Sequence, residues 1–179
     1  MNKVLVAYST HEGQTAEIAQ VVADVLRGRG LDVTVQDVRE SHGTPAGYDG
    51  VIVGGSIHVG KHDKHVVEFV QQNLDTLAQV PSGFFSVSMA AHGDMEEAEK
   101  YVHEFEEQTG WRPARVALFG GALLYTQYNF VKRHMMKKIV QDKPGDLGTD
   151  LSRDYVYTEW DGVRAFAEDF ATSLESASR

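Results

Sequence analysis

The chain contains no cysteine, which removes disulfides, thiolate metal sites and cysteine nucleophiles together. Cations are also scarce. Seventeen Lys and Arg stand against 26 Asp and Glu, a formal net charge of −9. So acidic a chain lacks the positive field that general nucleic-acid binding needs. No apolar run reaches the roughly 18 residues of a membrane-spanning helix. The opening residues, MNKVLVAYST, turn polar too soon for a secretory signal, and the expected compartment is the cytoplasm. What is present is a 42% hydrophobic fraction over 179 residues, enough for a sizeable core. One domain is expected over residues 1–175, with a short tail at 176–179.

Apolar runs alternate with helical periods along the chain. KVLVAY (Lys3 to Tyr8) is nearly continuous, as a strand buried on both faces should be. LDVTV (31–35) alternates like a strand nearer the sheet edge. YDGVIVGGS (48–56), GFFSVSM (83–89) and RVALFGGALL (115–124) read as three more strands. Between them, Ile18, Val22, Val25 and Leu26 mark a first helix. Val66, Phe69, Val70, Leu74 and Leu77 mark a second, and Ala98, Tyr101, Val102 and Phe105 a third. Val163, Phe166, Ala167, Phe170, Ala171 and Leu174 mark the last. Such alternation predicts βαβ units and a doubly wound α/β fold with a five-stranded parallel sheet. Ligands of that class bind outside the carboxyl ends of the strands, so the loops of interest are 9–15, 56–65 and 88–95.

One segment breaks the alternation. About 35 residues, Tyr125 to Glu159, separate the fifth strand from the last helix. Tyr128, Val131, Met135 and Ile139 recur there at helical spacing beside Lys132, Arg133, Lys137 and Lys138. Residues 124–143 carry five basic side chains and one acidic one. Two readings are open: an amphipathic helix packed on its own sheet, or a basic, aromatic-rich surface for an anionic ligand, a membrane face or a partner.

The first loop, AYSTHEGQT (Ala7 to Thr15), has no lysine or arginine. It still suits an anion. Backbone N–H groups at a helix N-terminus and the helix dipole favour negative charge, and Ser9, Thr10, Gln14 and Thr15 add neutral donors. Gly13 permits close approach of the backbone. The loop lacks the Gly-Lys-Ser/Thr of a nucleotide triphosphatase and the G-x-G-x-x-G of a dinucleotide fold. Strand ends reading YST and GGS lack the carboxylates of a phospho-acceptor receiver. A polar loop that merely caps its helix is the plain alternative.

In this topology STHEGQT resembles the phosphate loop of the flavodoxin family, with strand order 2-1-3-4-5. Thr10, His11, Glu12, Gly13, Gln14 and Thr15 would then surround the phosphate of FMN, with Ser9 at their start. Glu12 stands where many flavodoxins carry a hydroxyl, and is expected to point outward or to cap the helix. WRP (111–113), GAL-x-Y (121–125) and VYT-x-W (156–160) are similar to one branch, the menaquinone-dependent protoporphyrinogen oxidases, which also carries the long insertion at 125–158. That resemblance implies an FMN enzyme of haem biosynthesis. It would oxidise protoporphyrinogen IX to protoporphyrin IX in two-electron steps with a quinone as acceptor. It also implies association with the inner face of the cytoplasmic membrane, here through the basic 128–140 segment. The acidic net charge stands against tight association.

By the same resemblance, Ser56, Ile57, His58, Val59 and Gly60 form the second cofactor loop, and Ser88, Met89, Ala90, Ala91, His92 and Gly93 the third. Neither contains the Trp or Tyr with which electron-carrier flavodoxins sandwich the ring. An open flavin face favours an enzyme over the alternatives, a soluble electron carrier or an NAD(P)H:quinone reductase. His58 or His92 would stabilise a reduced flavin or relay a proton, unless both are merely solvated. Arg133, with Lys132 and Lys137, would meet substrate propionates or lipid heads. No metal is expected: His58, His62 and His65 with Asp63 have suggestive spacing, but Gly60 interrupts any helix that would align them. GGSIH lacks the closing glycine of a serine nucleophile elbow.

Overall fold

A computed structural model describes residues 2–41 and 43–179. Met1 and His42, inside the expected 1–175 domain, lie outside the described residues. The strands are β1 (Lys3–Ser9), β2 (Asp32–Asp37), β3 (Gly50–His58), β4 (Lys61–His62), β5 (Ser82–Ser88), β6 (Arg115–Gly120), β7 (Ala122–Leu123) and β8 (Tyr155–Val156). The helices are α1 (Gln14–Gly28), α2 (Lys64–Gln72), α3 (Leu74–Gln79), α4 (Met95–Thr109), α5 (Phe130–Gln141) and α6 (Trp160–Ala177). The main sheet runs β2-β1-β3-β5-β6, all parallel. Taken over its five long strands, that is the expected order 2-1-3-4-5.

The patterns of the inner strands β1, β3 and β5 follow from burial on both faces. Successive side chains of a strand point to opposite sides. Val4 and Val6 therefore join Ile52, Phe85 and Phe119 under α1 and α6. Leu5 and Ala7 join Val51, Val53 and Phe84 under α2, α3 and α4. Gly54 must lack a side chain, because a Cβ there would collide with the Phe85 ring.

Four local features depart from the sequence reading. The second helix is two, α2 and α3, broken at Asn73. Its side-chain amide donates to the Phe69 carbonyl at 2.7 Å and so competes with the helical backbone. The strand expected to run to residue 124 stops at Gly120, and β7 leaves the sheet to pair antiparallel with β8. A hairpin the sequence did not announce joins β3 to β4, with Ile57 opposite His62. Finally, α6 extends to Ala177, into the expected tail, where Ser178 accepts a hydrogen bond from Asn2 at 3.0 Å.

The insertion packs on neither sheet face. Its inner side forms a separate cluster of Leu123, Tyr125, Tyr128, Val140 and Leu147. Asn129 caps α5 by accepting from the Lys132 N–H at 2.9 Å.

Candidate functional site

The carboxyl ends of β1, β3 and β5 open onto one cavity of 310 Å³, at the low end of the roughly 300–1,000 Å³ usual for small-molecule sites. The first loop forms one wall. Gly13 adopts φ 97° at the entry to α1, and its N–H donates to Thr10 Oγ1 at 2.9 Å. Having no side chain, it leaves the first turn of α1 uncapped. Thr10, His11, Glu12, Gln14 and Thr15 line the cavity. Ser9 lies behind them, and its hydroxyl is buried with no hydrogen-bond partner among the described residues. An uncapped helix N-terminus beside cavity-lining Thr10, Gln14 and Thr15 is what a phosphate would satisfy. These residues fit FMN.

Glu12 does not cap α1. It reaches across to the insertion, where Tyr128 donates to its Oε2 at 2.6 Å and Lys132 Nζ lies 2.9 Å from its Oε1. His11 turns the other way. Its ring stacks on His58, centroids 4.4 Å apart, and its Nε2 lies 2.9 Å from Asp63 Oδ2. Burial and the neighbouring His58 hold His11 below its ordinary pKa, against the pull of Asp63. Burial alone would raise Asp63, but hydrogen bonds from the His65 backbone and ring hold it below the usual carboxylate range. The nearby Ser9 hydroxyl also favours the ionised form, without making a well-formed hydrogen bond to it.

Ser56, Ile57, His58, Val59 and Gly60 line the second side. Val59 and Gly60 are the two turn residues of the β3–β4 hairpin, both with positive φ, 51° and 76°. Two-residue hairpins of that kind favour Asn-Gly, and a β-branched residue at positive φ is strained. The same turn sends His62 inward. It is buried, its Nε2 lies 2.8 Å from Ser86 Oγ, and its ring packs against Phe84 and Phe105. The histidines at 58, 62 and 65 thus face different partners, and among the described residues no group of His, Asp or Glu is arranged to hold a metal.

On the third side Ser88, Met89 and Ala90 line the cavity, while Ala91 and His92 do not. A 3-10 turn over Ala90–His92 carries the His92 ring to Tyr157, at 4.2 Å between centroids. His92 therefore stands against Tyr157 and not on the cavity wall. Arg133 also stays away from the cavity. Its guanidinium donates to the carbonyls of Tyr125 at 2.9 Å and Tyr128 at 3.0 Å, pinning the turn before α5. The cations that do line the cavity are Lys132 and Lys143, beside Met135, Met136, Ile139 and Val140 of α5. Tyr101 also contributes, although its spacing marked it only as a core position of α4. Lys143 was legible only as part of the basic count of the insertion.

Residues 5–150 match the flavodoxin domain family. Over 173 residues the chain is 35% identical to protoporphyrinogen IX dehydrogenase (quinone) of Escherichia coli (strain K12), with 94% of each chain covered. A Leishmania major protein of the same name is 34% identical over 174 residues, covering 94% of this chain and 74% of that one. Among solved structures, a short-chain flavodoxin associated with a bacterial microcompartment superposes with a TM-score of 0.60 at 17% identity. That match covers 97% of this chain and 99% of the other. Oxidised flavodoxin 1 from Bacillus cereus gives 0.55 at 15% identity, covering 96% and 98%. At such identities the structural likeness speaks for the fold. The sequence identity carries further: the chain belongs to the flavodoxin domain family and, within it, to the protoporphyrinogen IX dehydrogenase (quinone) branch.

Proposed function

We propose that the chain is an FMN-dependent dehydrogenase that oxidises protoporphyrinogen IX to protoporphyrin IX and passes the electrons to a quinone such as menaquinone. The observation that carries this reading is the make-up of the cavity. A phosphate loop forms one wall, an apolar helix from the insertion forms another, and no Trp, Tyr or Phe of the second or third loop covers the space between. The name of the relatives at 34–35% identity supplies the substrate pair.

FMN, when bound, supplies a two-electron acceptor whose potential the protein tunes. The chain's own residues do the rest. Thr10, Gln14 and Thr15 would hold the phosphate end through backbone and hydroxyl donors, with Gly13 setting the turn that aims them. Ser56, Ile57, Ser88, Met89 and Ala90 frame the ring end. Met135, Met136, Ile139 and Val140 keep water from the apolar side, which strengthens every polar contact inside. Each two-electron step takes two hydrogens from the porphyrinogen: one leaves with the electron pair and the other as a proton. We assign that proton to His58, which is exposed at the cavity rim and stacked on His11.

The outer side of α5 is the surface proposed for membrane contact. Phe130 and Val131 are each 72% exposed, and Lys137 and Lys138 follow two turns later on the same side of the helix. Among the described residues no helix is long and apolar enough to cross a membrane, so contact would be peripheral, on the cytoplasmic side where a lipid-dissolved quinone can be met. The decisive experiment is anaerobic: purified protein carrying FMN is mixed with protoporphyrinogen IX and a menaquinone analogue. Enzyme-dependent porphyrin fluorescence supports the reading. Bound FMN without turnover, but with fast electron exchange with a ferredoxin reductase, refutes it in favour of a carrier. Co-sedimentation with anionic vesicles, lost in Lys137→Glu with Lys138→Glu, tests the membrane face; equal binding of both proteins would refute it.

A further inference from the structure

The phosphate loop fastens both ends of the insertion. At its start, Tyr128 and Lys132 engage the two carboxylate oxygens of Glu12 at 2.6 and 2.9 Å. At its end, Gln14 Nε2 donates to Thr158 Oγ1 at 2.8 Å, and Thr158 donates to the Gly120 carbonyl at 2.6 Å. The Lys132 ammonium also lies 4.6 Å above the Tyr128 ring, so Glu12, Tyr128 and Lys132 form one cluster. Glu12 and Lys132 are both cavity-lining and only partly exposed, their side chains at 26% and 37%. Screening there is weaker than at an open surface.

A carboxylate in a loop built for a phosphate is a like-charge conflict. The insertion resolves it by bringing an ammonium and a phenolic donor to that carboxylate. We propose that Tyr128 and Lys132 act as positioning residues for the phosphate site through Glu12, so that filling the loop with a phosphate and closing α5 over the cavity are one coupled event. The inference rests on the cofactor reading above. With α5 docked, the Glu12 charge is offset and the loop accepts a dianion. With α5 displaced, the carboxylate is bare and opposes it. Linkage makes the coupling reciprocal: phosphate favours the docked helix by the factor with which the docked helix favours phosphate. Burial, then the hydrogen bond to Glu12, raise the Tyr128 pKa well above its ordinary value, so the phenol stays protonated and remains a donor at working pH.

The test compares FMN with riboflavin, which has the ring but no phosphate. Wild type, Lys132→Ala, Glu12→Gln and the double variant are titrated with each flavin by fluorescence quenching. Lys132→Ala is expected to weaken FMN about fivefold, as for a partly exposed charge pair, and to leave riboflavin unchanged. In the Glu12→Gln background it should have no further effect. FMN, but not riboflavin, should slow amide exchange across Phe130–Gln141, and that slowing should vanish in Lys132→Ala. Tyr128→Phe keeps the ring, removes the donor to Glu12 and with it the acceptor of the Leu124 N–H, and should show the same pattern at smaller size. Equal losses for both flavins, additive losses in the double variant, or FMN binding indifferent to Lys132 would each overturn the coupling. A wild-type chain that binds FMN no better than riboflavin would overturn the cofactor reading itself.

Discussion

Acidifying the protein from pH 7 to pH 4 should cost it stability through one buried side chain, His62. Its ring sits between the sheet and α4, bonded to Ser86 Oγ and packed on Phe84 and Phe105. Burial drives its pKa down from 6.5 to about 4, so the folded protein keeps it neutral where an unfolded chain would protonate it. The sign follows from proton counting. Between about pH 6.5 and 4 the unfolded state binds the extra proton, so unfolding becomes easier as pH falls. The stabilisation is fully present above 6.5 and is spent by about pH 4. Its size is roughly 3 kcal/mol, a large part of the roughly 5–15 kcal/mol that holds a domain together. Urea denaturation at half-unit pH steps measures it. Other groups also gain protons on acidification, so the quantity to read is the difference between wild type and His62→Gln, which can still bond Ser86. The variant should start less stable at pH 7 through lost packing and then fall less steeply, the two curves converging toward pH 4. Parallel curves would refute the assignment of His62 as a buried neutral imidazole.

Three further outcomes follow from the site. Gly13→Val combined with Thr15→Ala should abolish FMN retention while leaving the far-UV spectrum intact. Nothing lies within 4 Å of a Cβ at Gly13, so the strain comes from φ 97° alone, and normal flavin content in purified protein would sink the phosphate-loop assignment. Val59→Asn should stabilise the fold by about 1 kcal/mol and so raise the denaturation midpoint, because Asn tolerates the positive φ that the hairpin imposes on Val59; a lower midpoint would contradict the turn geometry. Arg133→Ala should speed amide exchange through Phe130–Gln141, with a local loss of about 1–3 kcal/mol as two carbonyls lose a charged donor. Arg133→Lys should rescue it poorly, since one ammonium cannot reproduce the guanidinium fork. Unchanged exchange together with lost turnover would return Arg133 to the role of substrate contact.

Those outcomes also mark where the sequence stopped being readable. Strands β1, β3 and β5 were legible because burial on both faces leaves an apolar run in the chain, and with them came the three loops at their carboxyl ends; β6 was apolar enough to read although it is the sheet edge, and the strand order came from the family resemblance. The β3–β4 hairpin was not, because its turn is Val59-Gly60 and not one of the pairs that accept positive φ without cost. The break at Asn73 was hidden by apolar positions that keep their helical spacing across it. His92 and Arg133 carried the right chemistry in the right segments, but side-chain direction there depends on a short 3-10 turn and on two carbonyls, and periodicity encodes neither. Glu12 is the instructive case. In the sequence it is a misfit, an acid in a loop shaped for a phosphate, and local reasoning can only turn it away from the ligand. Its partner Tyr128 lies 116 residues downstream, in the long segment between β6 and α6. The acid and the insertion explain each other. Without α5 the carboxylate would weaken the phosphate site, and without the carboxylate α5 would lose its charged anchor beside the cavity.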